Sequence, residues 1–203
     1  MKIIAVTDRK LVRNSFCERL AAIAEVGPDM IILNEPDLSI PEMKYLAIEC
    51  RPVCLENGIK FGIENHFSVA KETGADSLLL NYEEFLRGNV LYGGATMGVR
   101  VKSVTEAEHA QDLGADYLVV GRIFPSQTDP EAECLGTELL QDICESSKVD
   151  VYASGGVNPY NISRVGEAGA AGVCITHQFM TGDNLKVLVR ELKTNFRRRI
   201  RTS

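Results

Sequence analysis

Short apolar runs alternate with longer amphipathic stretches along the whole chain. Eight runs, among them "KIIAV", "DMIIL" and "DYLVVG", are nearly continuously apolar, which is typical of strands that are buried on both faces of a parallel sheet. Each run is followed by a stretch in which apolar residues recur every three or four positions, as in "SFCERLAAIAEV". That spacing predicts a helix, and the last helix is expected over about residues 183–199. The pattern therefore predicts eight strand–helix units.

Eight such units in 203 residues favour one compact (β/α)₈ TIM barrel that spans residues 1–203. A doubly wound open sheet is the alternative. No linker, low-complexity segment or shift in composition divides the chain. Gly74, Gly114 and Gly169 each stand between a predicted helix and the next strand, and we expect them to end those helices in the left-handed conformation.

Composition narrows the classes of partner. The formal charge of −6 argues against a nucleic-acid partner, and we interpret the basic "RRRIR" near the C-terminus as a solvated helix end. There is no signal-peptide pattern and no run of about 18 apolar residues, so we expect no membrane partner. Six cysteines without a C-x-x-C pair indicate small core residues in a reducing cytoplasm. These features are compatible with a homo-oligomer.

The segment "ASGGVNPYN" follows the seventh predicted strand, on the face where barrels of this type carry their sites. Gly155 and Gly156 would let backbone N–H groups approach an anion closely, and the following helix would add its positive N-terminal end. Thr176 and His177, after the eighth strand, would close the same site. We therefore predict phosphate binding here, with a tight turn of purely structural purpose as the alternative.

The loop "GRIFPSQTD" follows the sixth predicted strand. Ser126, Thr128 and Arg122 suit a phosphate, because two hydroxyls and a guanidinium can donate hydrogen bonds to its oxygens. Asp129, at the end of the same loop, would repel a phosphate. The loop is thus expected to contact one anion and to turn away from a second.

Oxygen ligands for a metal ion occur after the third and fourth predicted strands. Glu64, Asn65 and Glu84 could bind Mg²⁺, which usually takes one or two carboxylates together with a substrate phosphate. Ordinary polarity of surface loops explains the same residues equally well.

Two of the three histidines are placed for proton transfer. His66 opens a helix after the third strand and His177 follows the eighth, and an imidazole titrates near neutral pH. Their catalytic role is the minority interpretation, since the sequence supplies no partner for either ring. His109 lies in the polar stretch "EAEHAQ" and is expected to face solvent.

Taken together, the segments "AVTD", "ILNEPDL", "IEN", "NYEE", "GVR", "GRIFPSQTD" with "LGTELL", "SGGV" and "AGAAGV" resemble the thiamine phosphate synthase / TenI family. The resemblance covers about residues 3–180. It implies a (β/α)₈ barrel that joins a pyrimidine-methyl diphosphate to a thiazole phosphate and releases pyrophosphate. It also implies that Mg²⁺ and basic residues hold the diphosphate while it leaves.

The half of the family pattern that binds the thiazole phosphate is kept. Gly155, Gly156, Ser126 and Thr128 match it, and His177 stands where the family has a serine. The resemblance therefore implies that these residues line a pocket for a thiazole phosphate.

The half that binds the diphosphate is largely replaced. The resemblance places substrate-binding positions at Asn34 and Glu64, and metal-binding positions at Asn65 and Glu84. Three cations of the pattern are replaced, by Asn34, Pro36 and Asp129. Arg100 and Arg122 are two cations that the pattern lacks, and they are candidate catalytic residues for a rebuilt site.

Three functions are compatible with this mixture. The first is a divergent thiamine phosphate synthase. The second is a TenI-like thiazole tautomerase, but the histidine that this branch carries in the "G-x-V-F" loop is Arg122 here, so His66 or His177 would have to move the proton. The third is a non-catalytic binder of thiazole phosphate or thiamine phosphate.

Overall fold

The computed structural model describes residues 1–88, 94–126 and 133–197. Eight parallel strands form a closed barrel in chain order, with the first strand paired to the last. The strands are β1 (Lys2–Val6), β2 (Met30–Leu33), β3 (Lys60–Glu64), β4 (Ser77–Asn81), β5 (Thr96–Val101), β6 (Tyr117–Gly121), β7 (Asp150–Ser154) and β8 (Gly172–Ile175). The predicted (β/α)₈ barrel is confirmed, and the open sheet is excluded because the β1–β8 pairing closes the ring.

A helix follows every strand of the described chain, and β8 is followed by two. The helices are α1 (Phe16–Glu25), α2 (Ile40–Glu56), α3 (Phe67–Thr73), α4 (Tyr82–Arg87), α5 (Val104–Asp112), α6 (Gly136–Ser146), α7 (Ile162–Glu167), α8 (His177–Thr181) and α9 (Leu185–Asn195). The sequence pattern missed α8 and a 3₁₀ turn at Arg9–Leu11, since both are too short to show a period. Among the helices of the described ranges, none is both long enough and apolar enough to cross a membrane.

The last helix is shorter than the predicted range of about 183–199. It ends at Asn195, because Phe196 takes an extended conformation with ψ near 116° and packs its ring against the core. Most of the basic segment that was expected to end the helix, from residue 198 onward, lies outside the described residues.

Each strand divides its side chains between two apolar layers. One alternate set packs against the helices and includes Ile3, Ile31 and Phe61. The other set fills the barrel interior, among it Tyr117, Tyr152 and Cys174. Four of the six cysteines are buried and all six are free thiols, which confirms their use as small packing residues for the most part, although Cys17 is exposed.

The same type of hydrogen bond, from a backbone N–H to an aspartate, recurs three times on the lower face of the barrel. Asp29, Asp76 and Asp116, at the starts of β2, β4 and β6, accept hydrogen bonds from backbone N–H groups of the preceding strands, at 2.8, 2.9 and 2.7 Å. The predicted left-handed glycines stand on the same side, with φ of 65° at Gly74 and of 96° at Gly114 and Gly169. These repeats stabilise the barrel and leave the opposite face free for chemistry.

Candidate functional site

A cavity of about 340 Å³ opens at the upper face, among the loops that follow β6, β7, β8 and β1. Six residues that the sequence singled out line it together: Arg122, Ser126, Gly155, Gly156, Thr176 and His177. Asp8, Asn158 and Gln178 line the same cavity; Asp8 and Asn158 belong to the quoted segments "AVTD" and "ASGGVNPYN", but the sequence did not single out any of the three side chains. Two other predicted residues of this group, Thr128 and Asp129, lie outside the described residues.

The two glycines after β7 are required by contact as well as by conformation. Both have positive φ, 84° at Gly155 and 67° at Gly156. A Cβ on Gly156 would stand 2.4 Å from the carbonyl oxygen of Pro125, and one on Gly155 would stand 2.8 Å from Cγ of Arg122. Only glycine therefore lets the loop after β7 lie this close to the loop after β6.

Backbone and amide hydrogen bonds fix this pair of loops. Ile123 N–H donates to the carbonyl oxygen of Ser154 at 3.0 Å, and Phe124 N–H donates to that of Gly155 at 3.1 Å. On the other side, the Asn161 side chain donates to the carbonyl oxygen of Gly156 at 2.9 Å. Because these bonds lie between backbone groups or within one loop, the turn is built before any ligand arrives.

The loop after β8 closes the cavity. Gln178 Nε2 donates to the carbonyl oxygen of Val157 at 3.0 Å, which joins α8 to the glycine turn. His177 lines the cavity, and its Nδ1 atom is shielded from solvent with no hydrogen-bond partner within the described ranges. A buried polar atom without a partner costs about 1–3 kcal/mol, so this placement of the His177 ring lowers the stability of the fold.

A second polar cluster lies at the ends of β3, β4 and β5, and its residues do not line the cavity. Arg100 Nε donates to Glu64 Oε1 at 2.5 Å and Arg100 Nη2 donates to Glu64 Oε2 at 3.0 Å, a bidentate ion pair. The Glu64 side chain is only 5% exposed and that of Arg100 26%. Burial opposes the charge of Arg100, but attraction to Glu64 and the hydrogen bonds outweigh it and raise the pKa of the guanidinium.

The remaining predicted metal ligands are each engaged separately. Asn65, with φ of 57°, accepts a hydrogen bond through Oδ1 from Asn81 N–H at 2.8 Å. Glu84 is exposed, and its Oε1 lies 2.6 Å from Nη1 of Arg87. Across the described parts of the chain, no group of three or more His, Cys, Asp or Glu side chains is arranged to hold a metal ion.

The ends of β1 and β2 carry a buried acid that the sequence reasoning missed. Glu35 is 1% exposed and accepts hydrogen bonds from Thr7 Oγ1 at 2.7 Å and from Arg9 N–H at 3.0 Å. Burial raises its pKa, although these hydrogen bonds oppose the rise. Asn34, the predicted substrate-binding residue beside it, donates its N–H to Thr7 Oγ1 at 3.1 Å. The polar stretch "NEPD" gave no signal that one of its members is buried.

The other two histidines stand apart from the cavity. His66 occupies the N-cap position of α3 without a capping hydrogen bond from its side chain; it is half-buried, and burial lowers the pKa of its imidazole. His109 is exposed, as predicted, and its Nδ1 lies 2.6 Å from the Tyr82 hydroxyl. Of the two histidines considered for proton transfer, only His177 therefore shares the cavity with the glycine turn.

Comparisons with known proteins agree with this arrangement. The family model described as thiamine monophosphate synthase matches residues 3–179. Thiamine-phosphate synthase from Pyrococcus abyssi is 30% identical over 195 residues, which cover 95% of this chain and 93% of that protein. The enzyme of that name from Listeria welshimeri is 35% identical over 158 residues, covering 74% and 76%. The solved structure of thiamine phosphate pyrophosphorylase from Pyrococcus furiosus superposes with a TM-score of 0.82 at 26% identity, covering 96% and 94%.

Proposed function

The chain belongs to the thiamine monophosphate synthase family, and on that premise we propose that it forms thiamine phosphate. The substrates are a pyrimidine-methyl diphosphate and a thiazole phosphate, and the second product is pyrophosphate. Whole-chain similarity to relatives of that name supports this choice over unrelated barrel chemistry. The site is accordingly one for phosphorylated small molecules.

The observation that carries the proposal is the glycine turn over the cavity. Gly155 and Gly156 bring the loop after β7 against the loop after β6, and Ser126 and Thr176 line the same space with hydroxyl groups. A hydrogen bond to a charged phosphate contributes about 1.5–3 kcal/mol, so a few donors suffice to hold one phosphate. We assign the phosphate of the thiazole substrate to this turn.

This reaction requires the protein to orient two substrates and to stabilise a leaving anion. The bond between the methylene carbon and the diphosphate oxygen breaks, and its electron pair leaves with pyrophosphate. The thiazole nitrogen then bonds to that carbon, which gives thiamine phosphate. Fixed donors near the departing oxygens speed such a step, because they interact more strongly as charge develops there.

The experiment is formation of thiamine phosphate from the two substrates, followed by chromatography, both with Mg²⁺ and with a chelator. We expect sustained product formation in at least one condition. The matched variants are Gly156→Ala and Gly58→Ala, which share a φ of 67°, but only at residue 156 would the added Cβ meet another atom within 4 Å. Product from the Gly58 variant and none from the Gly156 variant supports the assignment, whereas wild-type protein that makes no product refutes the proposed function.

A second candidate is a thiazole tautomerase, and one observation favours it. His177 shares the cavity with the glycine turn, so an acid–base group lies next to the proposed phosphate site. In that case His177→Ala abolishes turnover of a thiazole carboxylate phosphate tautomer, while His66→Ala keeps it. If both variants turn it over, the tautomerase is refuted. Ligand binding without turnover of either substrate set would instead identify a non-catalytic binder.

We further propose that the protein works in the cytoplasm. Its six cysteines are free thiols, and four of them are buried, as is usual where thiols stay reduced. A nucleic-acid partner is disfavoured by the formal charge of −6.

A further inference from the structure

The family resemblance implies a Mg²⁺ ion between the ends of β3 and β4, and the residues present there do not fit one. Mg²⁺ demands near-octahedral geometry and one or two carboxylates beside the substrate phosphates. Asn65 supplies no charge and its Oδ1 already accepts the Asn81 N–H. The Glu84 carboxylate is exposed and paired with Arg87, one turn along the same helix. The other acid of this region, Glu64, is committed to Arg100.

Arg100 lies where the missing positive charge would be needed. On β5 it is the register partner of Asn81 at the end of β4, and its side chain reaches Glu64 at the end of β3. The guanidinium therefore spans the end of β4, beside the position of Asn65. It also acts electrostatically on Cys174, whose pKa burial raises to about 12 while Arg100 opposes the rise. Val99 and Val101, on either side of Arg100, pack in the layer against the helices, so the Arg100 side chain points into the barrel interior, as Cys174 does.

The ion pair leaves Arg100 with unused donors. A guanidinium has five N–H groups in a planar fork, and Glu64 accepts from Nε and Nη2. Among the described residues no acceptor is present for Nη1 of Arg100. Because Glu64 holds one edge of the fork, the other edge has a fixed position, as a preorganised anion site requires.

We propose that Arg100, oriented by Glu64, takes the place of the metal ion, binds the diphosphate and stabilises the leaving pyrophosphate. This inference rests on the proposed function. Arg100 is thus a catalytic residue and Glu64 is a positioning residue, and the reaction proceeds without a divalent cation.

The first test compares thiamine phosphate formation in metal-free buffer with EDTA and in buffer with Mg²⁺. The expected rates differ by less than about twofold, because the stabilising charge is part of the protein. A strict requirement for Mg²⁺ overturns the inference while it leaves the proposed function intact. Absence of product under both conditions refutes the proposed function instead.

The second test neutralises the pair without leaving an unpaired charge. The double variant Glu64→Gln/Arg100→Gln is expected to lower kcat about 100-fold or more, the loss that follows removal of a donor to a developing anion. The matched control neutralises a surface pair at the neighbouring ends of α4 and β5, Glu83→Gln/Lys102→Gln, whose side chains are 59% and 62% exposed. The control is expected to keep wild-type kcat, and a double variant at residues 64 and 100 that keeps it too overturns the role of Arg100.

Binding supplies a readout that does not depend on turnover. Calorimetry with the pyrimidine-methyl diphosphate in EDTA is expected to show binding to wild-type protein and at least about tenfold weaker binding to the Glu64→Gln/Arg100→Gln variant. The Glu64→Gln single variant keeps the cation and is expected to bind within about twofold of wild type, with a reduced kcat because the fork is less well held. Equal diphosphate affinity in wild type and the double variant overturns the inference even where no product forms. If the double variant does not fold, Arg100→Lys replaces it and is expected to bind the diphosphate more weakly than wild type, since a lysine keeps the charge but lacks the fork.

Discussion

The two sides of the barrel mouth are built in different ways. The side formed by the loops after β6, β7 and β8 presents a backbone turn, fixed by contacts of Gly155 and Gly156 with carbonyl groups and with Arg122. The side formed by the ends of β1 to β5 presents paired side chains, with Glu64 on Arg100 and Asp37 on Arg9. The first site depends on the absence of a side chain, and the second depends on which charged side chains are present.

That difference is consistent with our proposal that one half of the family pattern is kept and the other is rebuilt. A backbone site tolerates exchange of its neighbours as long as two residues stay glycine. A side-chain site can change by paired substitution, because an acid and a base that appear together leave no uncompensated buried charge. The Glu64–Arg100 pair is such an arrangement, and it lies where the resemblance to the family implies a substrate-binding position and no arginine.

The largest effect is expected from a methyl group in the backbone site. Gly156→Ala places a Cβ against two carbonyl groups in addition to its positive φ, so its free energy of unfolding should fall by roughly 4 kcal/mol and its binding of inorganic phosphate should be lost. Gly58→Ala, with the same φ and open space around it, should lose only about 1 kcal/mol and keep phosphate binding. Urea unfolding and calorimetry measure both. Similar losses in the two variants would show that conformation, and not contact between the loops, requires glycine at residue 156.

The next largest effect is expected from breaking the side-chain site on one side only. Arg100→Ala leaves the Glu64 carboxylate, 5% exposed, without its partner, and should lower the free energy of unfolding by about 3 kcal/mol. The double variant Glu64→Gln/Arg100→Gln should be closer to wild type, because it leaves no charge unpaired. Urea unfolding of wild type and both variants gives the comparison. A double variant less stable than Arg100→Ala would contradict the view that this half can be rebuilt in pairs.

A smaller, pH-dependent effect is expected from Glu35. Burial raises its pKa in the folded state, so the native protein holds this proton more tightly than the unfolded chain. Its contribution to stability is therefore greatest at acid pH and is lost as pH rises from its ordinary value near 4.5 through the raised folded value. Glu35→Gln should therefore remove this part of the decrease in stability with rising pH. The free energy of unfolding of both proteins is measured by urea unfolding between pH 4 and 8. If it changes with pH in the same way in both, the prediction is wrong.

The smallest effect is expected at the surface pair Glu83–Lys102. Both side chains are mostly exposed and 3.5 Å apart, so water and salt screen their attraction. Glu83→Gln/Lys102→Gln should leave the midpoint of thermal unfolding unchanged within error. A clearly lower midpoint would mean that even an exposed charge pair at the end of β5 stabilises the barrel, so that burial of the pair is not required.

Features that depend on the type of residue at each position could be predicted from the sequence. Contacts that depend on the register of neighbouring strands could not. The apolar runs predicted all eight strands, and Gly155 and Gly156 were found because a close backbone approach requires glycine. The Glu64–Arg100 pair joins residues 36 positions apart and follows from the pairing of β3, β4 and β5, which no local pattern encodes. Phe196 ended α9 early because its ring turns back to the core, a tertiary effect that helical periodicity does not show.

The division of the mouth into two independent anion sites is tested most directly by calorimetry on the Glu64→Gln/Arg100→Gln variant. Thiazole phosphate and pyrimidine-methyl diphosphate are titrated separately, in EDTA, into this variant and into wild-type protein. We predict that thiazole phosphate binds both proteins within about twofold, whereas the diphosphate binds the variant at least about tenfold more weakly. An equal loss for both ligands, or no loss for the diphosphate, would contradict it.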